Sequence, residues 1–322
     1  MNKLKSTLTA LLLLIAVSAQ AQETIEKSFT GVSSIRLTTA SGNGSIVKGT
    51  SDEVKVTLKY TYDEEDYRPE FDQRGSRLII EEKFRRSRNM RGYSEWTLEV
   101  PDGLELDFKT GSGNIDIEGL EIEIQASSGS GNIDIIEVKG QARVNTGSGN
   151  IELDRVDGEV SANTGSGSIR ISDVNGDANL NTGSGNIKGG VIEGALSLNT
   201  GSGNIQIKDA TITGRSSLNT GSGNAILELG AELNDDISLS TGSGSAVLDF
   251  NGQKIEGEFT MKAQDKDDIR APFDFDEQYG DDDDDDGWRR SRSRGYTKEA
   301  KVGNKDIRIK ISTGSGRAEV KG

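Results

Sequence analysis

The sequence predicts an all-β protein, a single-domain parallel β-solenoid with about 18 residues per coil. Three observations predict this fold. A Gly-Ser-Gly tripeptide recurs along the chain, apolar and polar residues alternate between its copies, and no proline interrupts the segment from Asp102 to Lys262. The copies begin at Gly111, Gly129, Gly147, Gly165, Gly183, Gly201, Gly221, Gly242 and Gly314, and the first six are evenly spaced. Such a period is typical of a unit that stacks on its own copies, and we expect a right-handed winding.

Each repeat contains two short strands. After the corner, one strand places apolar residues in two columns, Ile115, Ile133, Ile151, Ile169, Ile187 and Ile205, then Ile117, Ile135, Leu153, Ile171, Gly189 and Ile207. The second strand contributes Ile124, Ala142, Val160, Ala178 and Leu196, then Ala126, Val144, Ala162, Leu180 and Leu198. Alternation of this kind predicts strands with one buried face. A glycine column between the strands, Gly140, Gly158, Gly176 and Gly194, predicts a turn.

The glycines of the Gly-Ser-Gly corner are expected to serve two purposes. A sharp bend favours φ > 0, which glycine adopts without a Cβ clash. In a stack, each corner also packs against its own copies in the coils above and below. We therefore expect both a left-handed backbone and close packing at these corners.

Two polar columns flank the corner. One consists of Ser127, Asn145, Asn163, Asn181, Asn199, Asn219 and Ser240, and the other of Asn114, Asn132, Asn150, Ser168, Asn186, Asn204 and Asn224. Stacked amides can form hydrogen bonds along the axis, as in cross-β stacks. The alternative is a polar strip that binds sugar. Because asparagine is also favoured at bends for local reasons, the structural ladder is the preferred interpretation.

The segment from Met1 to Ala21 is typical of a secretory signal peptide. Lys3 and Lys5 form its positive region, Leu8 to Val17 its apolar region, and Ala19-Gln20-Ala21 a small-residue cleavage site. A transmembrane anchor would need about twenty apolar residues, roughly twice this run. With no cysteine for a lipid, we expect cleavage after Ala21 and a periplasmic, secreted or cell-surface protein without a transmembrane segment after the signal is removed.

The mature chain, 22–322, is expected to form one domain. Looser strand patterns over 22–109 predict an N-terminal β region with an irregular cap, and 110–262 is the regular solenoid. The charged segment 263–302 is predicted to be a disordered insertion, because like-charged runs are usually solvated. The repeat resumes in 303–322, which is expected to be the final coil.

Composition excludes several classes of function. The chain of 322 residues has no cysteine, no histidine and a net charge of −15. It therefore cannot build a Ser-His or Cys-His catalytic pair or the usual zinc site. Its acidity predicts no binding of nucleic acid, which it repels unless it is locally basic. We expect no catalytic, cofactor-binding or metal-binding residues, and the sequence predicts no oligomeric state.

Two charged regions depart from the repeat. Phe84–Tyr93 resembles Trp288–Tyr296, and their basic residues lie in Arg85–Arg91 and Arg289–Arg294. These aromatic-flanked basic loops could hold an anionic polysaccharide or an acidic strip of a partner. The preferred interpretation is that they offset nearby acids, Glu64–Asp66 and the run Asp281–Asp286, because charge runs seldom form a site by themselves.

The segment from Trp96 to Ile117, WTLEVPDGLELDFKTGSGNIDI, ends a strand with Val-Pro and then enters the repeat. It resembles the bacterial "putative adhesin" family, a domain of unknown function with Thr/Ser-Gly-Ser-Gly-Asn-Ile units. The resemblance extends from about Phe29 to the end of the chain. It implies an exported β-helix-like domain with an adhesin role and no established catalytic residues.

The sequence leaves three functions to compare. The favoured one is an exported structural or adhesin-like protein whose partner is an unknown envelope protein or polysaccharide. The second is a carbohydrate-binding or carbohydrate-cleaving β-helix acting on an acidic polysaccharide, whose candidate residues form one outward column, Asp116, Asp134, Glu152, Arg170 and Lys188. Neighbouring carboxylates could serve glycoside cleavage or hold a cation, but the column becomes basic, as on a charge-balanced solvated face.

The third function is a calcium-binding β-roll, because the period of this chain is twice the nonapeptide period of that fold. A β-roll needs Gly-Gly-x-Gly-x-Asp in each half-turn. Here isoleucine occupies the ligand position, and only one half of each unit has the glycines. The sequence therefore predicts no calcium in the repeat.

Overall fold

Two long, mostly parallel β-sheets form the framework of the protein. A computed structural model describes residues 22–85, 92–280 and 295–322. Within these ranges the regular structure is strand, with one 3-10 turn at Lys266–Asp268 and no α-helix. The predicted all-β solenoid is confirmed, and its right-handed winding stays a prediction.

The strands are numbered in chain order. The N-terminal part contains β1 (Glu23–Thr30), β2 (Ser34–Thr39), β3 (Asn43–Lys48), β4 (Glu53–Tyr60), β5 (Tyr67–Arg74), β6 (Arg77–Phe84), β7 (Ser94–Val100) and β8 (Glu105–Thr110). The central part contains β9 (Ile115–Glu121), β10 (Glu123–Ser128), β11 (Ile133–Lys139), β12 (Ala142–Thr146), β13 (Ile151–Asp157), β14 (Val160–Thr164), β15 (Ile169–Asn175) and β16 (Ala178–Thr182). It continues with β17 (Ile187–Gly194), β18 (Leu196–Thr200), β19 (Ile205–Ile212), β20 (Ser216–Thr220), β21 (Ala225–Leu229), β22 (Ile237–Thr241) and β23 (Ala246–Asp249). The C-terminal part contains β24 (Gly257–Ala263), β25 (Ile269–Arg270), β26 (Glu277–Tyr279), β27 (Tyr296–Val302), β28 (Arg308–Thr313) and β29 (Ala318–Lys321).

The two sheets take alternate strands of the repeat. The first sheet has 14 strands in the order β1-β4-β7-β3-β9-β11-β13-β15-β17-β19-β21-β23-β29-β25. The second has 15 strands in the order β26-β27-β24-β28-β22-β20-β18-β16-β14-β12-β10-β8-β2-β6-β5. One hydrophobic core cluster includes residues of both sheets and of both ends of the stack.

In the central coils, like side chains lie over like side chains. Ile133 pairs with Ile115 on one side and with Ile151 on the other, and all three are buried. A shift by one residue would turn these side chains out of the core, because side chains alternate between the two faces of a strand. The period of the repeat therefore fixes the register.

Close packing between coils explains the glycines of the corner. A Cβ on Gly131 would lie 1.9 Å from the carbonyl oxygen of Gly113, and one on Gly167 would lie 1.8 Å from that of Gly149. Neither Gly131 nor Gly167 has a positive φ. The expected φ > 0 is therefore wrong at these corners, whereas the expected packing against equivalent glycines is confirmed.

Left-handed backbone occurs instead between the two strands of each coil. Gly140 and Gly176 in the predicted turn have φ of 127° and 146°. A second left-handed column lies three residues earlier and was not predicted: Gly119, Glu137, Arg155, Asp173, Val191 and Asp209 have φ between 50° and 74°. This conformation is unfavourable for a β-branched residue, so Val191 is a strained position.

At the N-terminal end the first coil of the chain is not the outermost coil in space. The coil β2–β3 lies between the coil β6–β7 and the coil β8–β9. Beyond it, β5 pairs antiparallel with β6, and β4 pairs antiparallel with β7 and β1. Antiparallel strands thus cover the edge that a parallel stack would leave open.

Aromatic residues fill this N-terminal end. The ring centroid of Tyr62 lies 4.8 Å from that of Tyr67, and the ring centroid of Phe84 lies 5.2 Å from both. The carboxylate of Glu82 accepts hydrogen bonds from Trp96 Nε1 at 3.0 Å and from the backbone N–H of Ala40 at 2.8 Å. Glu82 therefore ties the inserted first coil to the coil outside it.

The C-terminal end repeats this arrangement. The coil β28–β29 lies between the coil β22–β23 and the outer pair β24 and β25. The segment 303–322 resumes the repeat and forms the last coil of the chain, as expected, but this coil is not the last in the stack. The expected regular solenoid over 110–262 likewise stops stacking in chain order after β23, because β24 pairs with β28 rather than with β22.

The predicted disorder of 263–302 is wrong for the residues that the structure describes in it. β25, β26 and β27 lie in this segment, and β27 pairs antiparallel with β24. The buried ring of Phe250 packs against the buried ring of Phe259, and the ring centroid of Phe273 lies 4.6 Å from that of Phe259. Cross-strand pairing and aromatic packing stabilise this segment despite its charge. The run Asp281–Asp286 lies outside the described residues.

Candidate functional site

The predicted charged column lies on the outer face of the first sheet. Adjacent strands pair Asp116 with Asp134, Asp134 with Glu152, Glu152 with Arg170, and Arg170 with Lys188. Neighbouring strands are about 4.8 Å apart. The structure therefore brings all five residues together in one row, three acidic side chains followed by two basic ones.

The environment of Asp134 differs from that of an ordinary surface carboxylate. Its side chain is half-buried, and burial raises its pKa, with a further contribution from the negative charges of Asp116 and Glu152. Burial also raises the pKa of Asp116, but this side chain is more exposed. Like charges directly opposite each other on a sheet destabilise it, so the acidic half of the row is electrostatically unfavourable.

The surroundings of the row set what it can do chemically. A shallow depression of about 440 Å³ is lined by Asp134, Glu152, Arg170 and Lys188. Glycoside cleavage places two carboxyl groups on either side of the scissile bond, whereas these carboxylates stand side by side on one sheet. In residues 22–85, 92–280 and 295–322, no group of three or more acidic, histidine or cysteine side chains could hold a metal ion.

The first polar column forms the amide ladder that the sequence predicts. The Nδ2 of Asn163 donates to Asn145 Oδ1 at 3.1 Å, and the same bond joins Asn181 to Asn163 and Asn199 to Asn181 at 3.0 Å. Asn219 continues the ladder to Asn199 at 3.1 Å. These bonds run along the axis and tie each coil to the previous one.

The second polar column is also a ladder, but of a different kind. The backbone N–H of Asn150 donates to Asn132 Oδ1 at 2.9 Å, and the backbone N–H of Ser168 donates to Asn150 Oδ1 at 2.9 Å. At Ser168 the hydroxyl replaces the amide and accepts from the N–H of Asn186 at 3.2 Å. The structural interpretation of both columns is confirmed.

A third polar column is buried, and its role was not predicted. Thr164 Oγ1 donates to the carbonyl oxygen of Gly149 in the previous coil at 2.9 Å and accepts from the N–H of Gly167 in its own corner at 3.1 Å. The same pair of bonds recurs at Thr146, Thr182, Thr200, Thr220 and Thr241. Ser128 takes this position in an earlier coil. The signal in the sequence was a hydroxyl residue in front of every Gly-Ser-Gly.

The two predicted basic loops lie almost entirely outside the described residues. Of Arg85–Arg91 only Arg85 is described, and Arg289–Arg294 lies wholly outside the described residues. In the part of the chain that the structure describes, no helix is long and apolar enough to cross a membrane.

The outer rows and the parallel stack define the class of protein, a repetitive two-sheet solenoid. Residues 32–272 match the Toastrack DUF4097 family, and the chain belongs to this family. The function of this family is unknown, as the resemblance implied. The link to the "putative adhesin" family through the repeat motif stays a prediction. No curated protein matches the chain.

Two solved structures are similar to the chain. One is described as a "putative cell adhesion protein" from Clostridium sporogenes, with 11% identity, coverage of 94% of this chain and 98% of that chain, and a TM-score of 0.26. The other is described as a "putative lipid binding protein" from Parabacteroides distasonis, with 15% identity, coverage of 93% and 96%, and a TM-score of 0.41.

Proposed function

We propose that this protein is an exported, non-enzymatic scaffold that presents a rigid, repetitive surface to a partner in the cell envelope or outside the cell. The observation that carries the proposal is the fixed spacing between the outward side chains of successive coils. Backbone pairing, two asparagine ladders and a buried threonine ladder hold each coil on the previous one. A surface of this kind loses little conformational entropy on binding.

Export is the second part of the proposal, and the signal-like segment from Met1 to Ala21 supports it. The non-enzymatic part is supported by the composition and by the open, one-sided geometry of the row at Asp134. The presence of a partner is favoured by the length of the stack, since solenoids use extended faces for binding.

The test is saturable binding of the purified mature chain to envelope fractions of the cells that produce it. The matched control is the variant Gly167→Ala/Gly185→Ala, in which each new Cβ would lie 1.8 Å from a carbonyl oxygen of the previous coil. We expect binding by the native chain and loss of binding by the control. A native chain that remains in solution with every envelope and extracellular fraction would contradict the proposal.

A carbohydrate-cleaving enzyme is the second candidate, because the row sets Asp134 between two further carboxylates, Asp116 and Glu152, and burial raises its pKa. A carboxyl group that is protonated more readily than usual is suited to general acid catalysis. If this function is correct, the native chain releases reducing ends from an acidic polysaccharide and Asp134→Asn does not. A native chain that is inactive across a panel of acidic glycans excludes this candidate.

A further inference from the structure

The outer face of the second sheet contains a groove near its C-terminal end that the repeat by itself does not predict. It has a volume of about 450 Å³ and lies across the first residues of β18, β20, β22 and β28. Its floor is a row of hydroxyl groups, since Ser197 pairs with Ser217, and Ser217 with Ser238. Lys310 continues this row.

A local change in coil length creates the groove. The equivalent asparagines Asn181 and Asn199 are 18 positions apart, whereas Asn199 and Asn219 are 20 apart, so the chain before β20 is longer. In the preceding coil the N–H of Ala178 donates to the backbone oxygen of Ala195 at 2.9 Å. At the next step the N–H of Leu196 donates instead to the side-chain hydroxyl of Ser216 at 2.9 Å. Where the groove opens, a side-chain hydroxyl thus replaces a backbone carbonyl oxygen as the hydrogen-bond acceptor between two coils.

Three cationic side chains line the groove, and two of them contact one carboxylate. Asp236 accepts from the backbone N–H of Arg308 at 2.9 Å and from its Nε at 3.1 Å, and it lies 3.4 Å from Arg215 Nη2. The side chain of Arg215 is 77% exposed, and Lys310 is exposed. Two positive charges therefore remain in excess at this place, in a chain whose net charge is −15.

This chemistry favours a particular ligand. Arginine binds carboxylate and sulfate-like groups through parallel N–H donors. Asp236 takes the Nε and Nη2 donors of Arg308, so the exposed Arg215 is the guanidinium group that a ligand would engage in this way. The row of serine hydroxyl groups suits the hydroxyl groups of a sugar. The large hydrophobic residues exposed in the described ranges, Tyr93, Val191 and Tyr279, do not line the groove, so it offers no apolar anchor for a lipid bilayer.

We infer that this groove binds an acidic polysaccharide, with a uronate or sulfate group on Arg215 and Lys310 and the sugar hydroxyl groups on the serine row. The inference deepens the proposed scaffold function and rests on it, because it names the partner class and the face that binds. The proposed export would bring the groove into contact with such polymers. The binding is expected to weaken as salt screens the exposed cations.

The test measures binding by titration calorimetry to a tetramer of galacturonic acid and to a neutral tetramer of galactose. The groove variant Arg215→Gln/Lys310→Gln removes two exposed cations. The matched control, Lys55→Gln/Lys59→Gln, removes two exposed lysines of β4, in the first sheet. We expect the native chain to bind the acidic tetramer and to bind the neutral tetramer with an affinity at least about tenfold lower. The groove variant should lose at least about tenfold in affinity for the acidic tetramer, and the control less than about twofold.

Two further probes separate other sources of negative charge. Inorganic phosphate tests for a simple anion site, and vesicles of phosphatidylglycerol and phosphatidylcholine test for a membrane. Binding of phosphate or of vesicles without binding of the acidic tetramer would overturn the inference. Equal weakening by the groove variant and by the control would also overturn it, since the attraction would then be non-specific.

Binding of the native chain to the acidic tetramer and to envelope fractions, measured side by side, separates this inference from the proposed function. If the native chain binds envelope fractions and no acidic saccharide, the inference fails and the scaffold function stands. If the acidic tetramer binds in the groove but no envelope or extracellular fraction does, the groove is supported and the scaffold function fails.

Discussion

The central coils and the two ends solve the same stacking problem in different ways. In the centre the strands pair with residues about one coil away in the chain, 18 positions for Asn163 and Asn145 and 21 for Ala225 and Ala246. At the ends the partners are far apart in the chain, since Arg36 contacts Asp107 over 71 residues and Arg308 contacts Asp236 over 72 residues. A periodic sequence extends a stack, but it does not by itself end one.

The ends terminate the stack by folding the chain back. Each terminal coil lies between two other coils, and antiparallel strands and aromatic side chains lie beyond it. Such long-range pairing carries a loop-closure cost that short-range stacking avoids. In return it covers the sheet edges that would otherwise pair with another chain. The centre and the ends should therefore respond differently to substitution.

The largest effect is expected at a central corner. In Gly167→Ala the new Cβ would lie 1.8 Å from the carbonyl oxygen of Gly149, so two coils must separate, with an expected loss of about 4 kcal/mol or more in the free energy of unfolding. The control is Gly190→Ala, where no atom lies within 4 Å of a new Cβ. Denaturant unfolding of both variants tests this. Equal losses would show that close packing between coils is not what requires glycine.

The next effect separates the ends from the centre. Ile309 is buried between Ile237 and Phe259, and Ile309→Ala is expected to cost about 3 kcal/mol through the cavity it leaves. Because repeat proteins are held by nearest-neighbour contacts, hydrogen exchange should accelerate in β24 and β28 and remain slow in β12 to β16. Leu180→Ala is the central control. An identical exchange map for the two variants would contradict this local opening.

The buried threonine ladder should be the next most sensitive feature. Thr164→Val keeps the shape of the side chain but leaves the carbonyl of Gly149 and the N–H of Gly167 without this partner, at an expected cost of about 2 kcal/mol. Thr164→Ser is the matched control, because Ser128 makes the same bonds in its own coil. The prediction fails if the serine variant loses as much stability as the valine variant.

A gain of stability is expected at Val191. This β-branched residue has a φ of 52° and is 56% exposed, while the equivalent positions hold Gly119, Asp173 and Asp209. Val191→Asn should therefore raise the free energy of unfolding by about 1 kcal/mol, since asparagine tolerates the left-handed region. The reverse change, Gly119→Val, should lower it. An unchanged or lower melting temperature for Val191→Asn would argue against strain at this column.

The smallest expected effect is the pH dependence contributed by Asp134. Its pKa in the folded chain is raised by burial, and then by Asp116 and Glu152. The stability it contributes is therefore present below its unfolded pKa and lost as the pH rises through its folded pKa. At neutral pH, Asp134→Asn should add only about 0.5 kcal/mol by removing a charge that faces two like charges, because solvent screens this half-buried row. This gain should vanish in acid.

The ends provide the comparison for this pH effect. The pKa of Asp236 is lowered, first by the backbone N–H of Arg308 and then by its guanidinium group. Stability from Asp236 is therefore present above its unfolded pKa and lost as the pH falls through its folded pKa. Thermal unfolding of Asp134→Asn and Asp236→Asn from about pH 3 to about pH 7 should show differences from the native chain of opposite sign at neutral pH. Differences of the same sign would contradict the assignment.

The central coils and their outward rows could be predicted from the repeat alone. Isoleucine columns such as Ile133 and Ile151 fix the register, because a shift by one residue would expose them. The charged row from Asp116 to Lys188 and the asparagine ladders follow from the same period. Residues that are equivalent in the repeat must become neighbours in the stack.

The way the stack ends, and the places where its surface departs from the repeat, follow from the three-dimensional path of the chain. The insertion of β2–β3 and of β28–β29 between other coils depends on contacts over 71 or 72 residues, which a local pattern does not encode. The groove formed by Arg215, Asp236 and Arg308 likewise combines residues from three coils, one of which is displaced in the chain by the C-terminal insertion. Proximity there comes from the path of the chain between coils, and not from the period of the sequence.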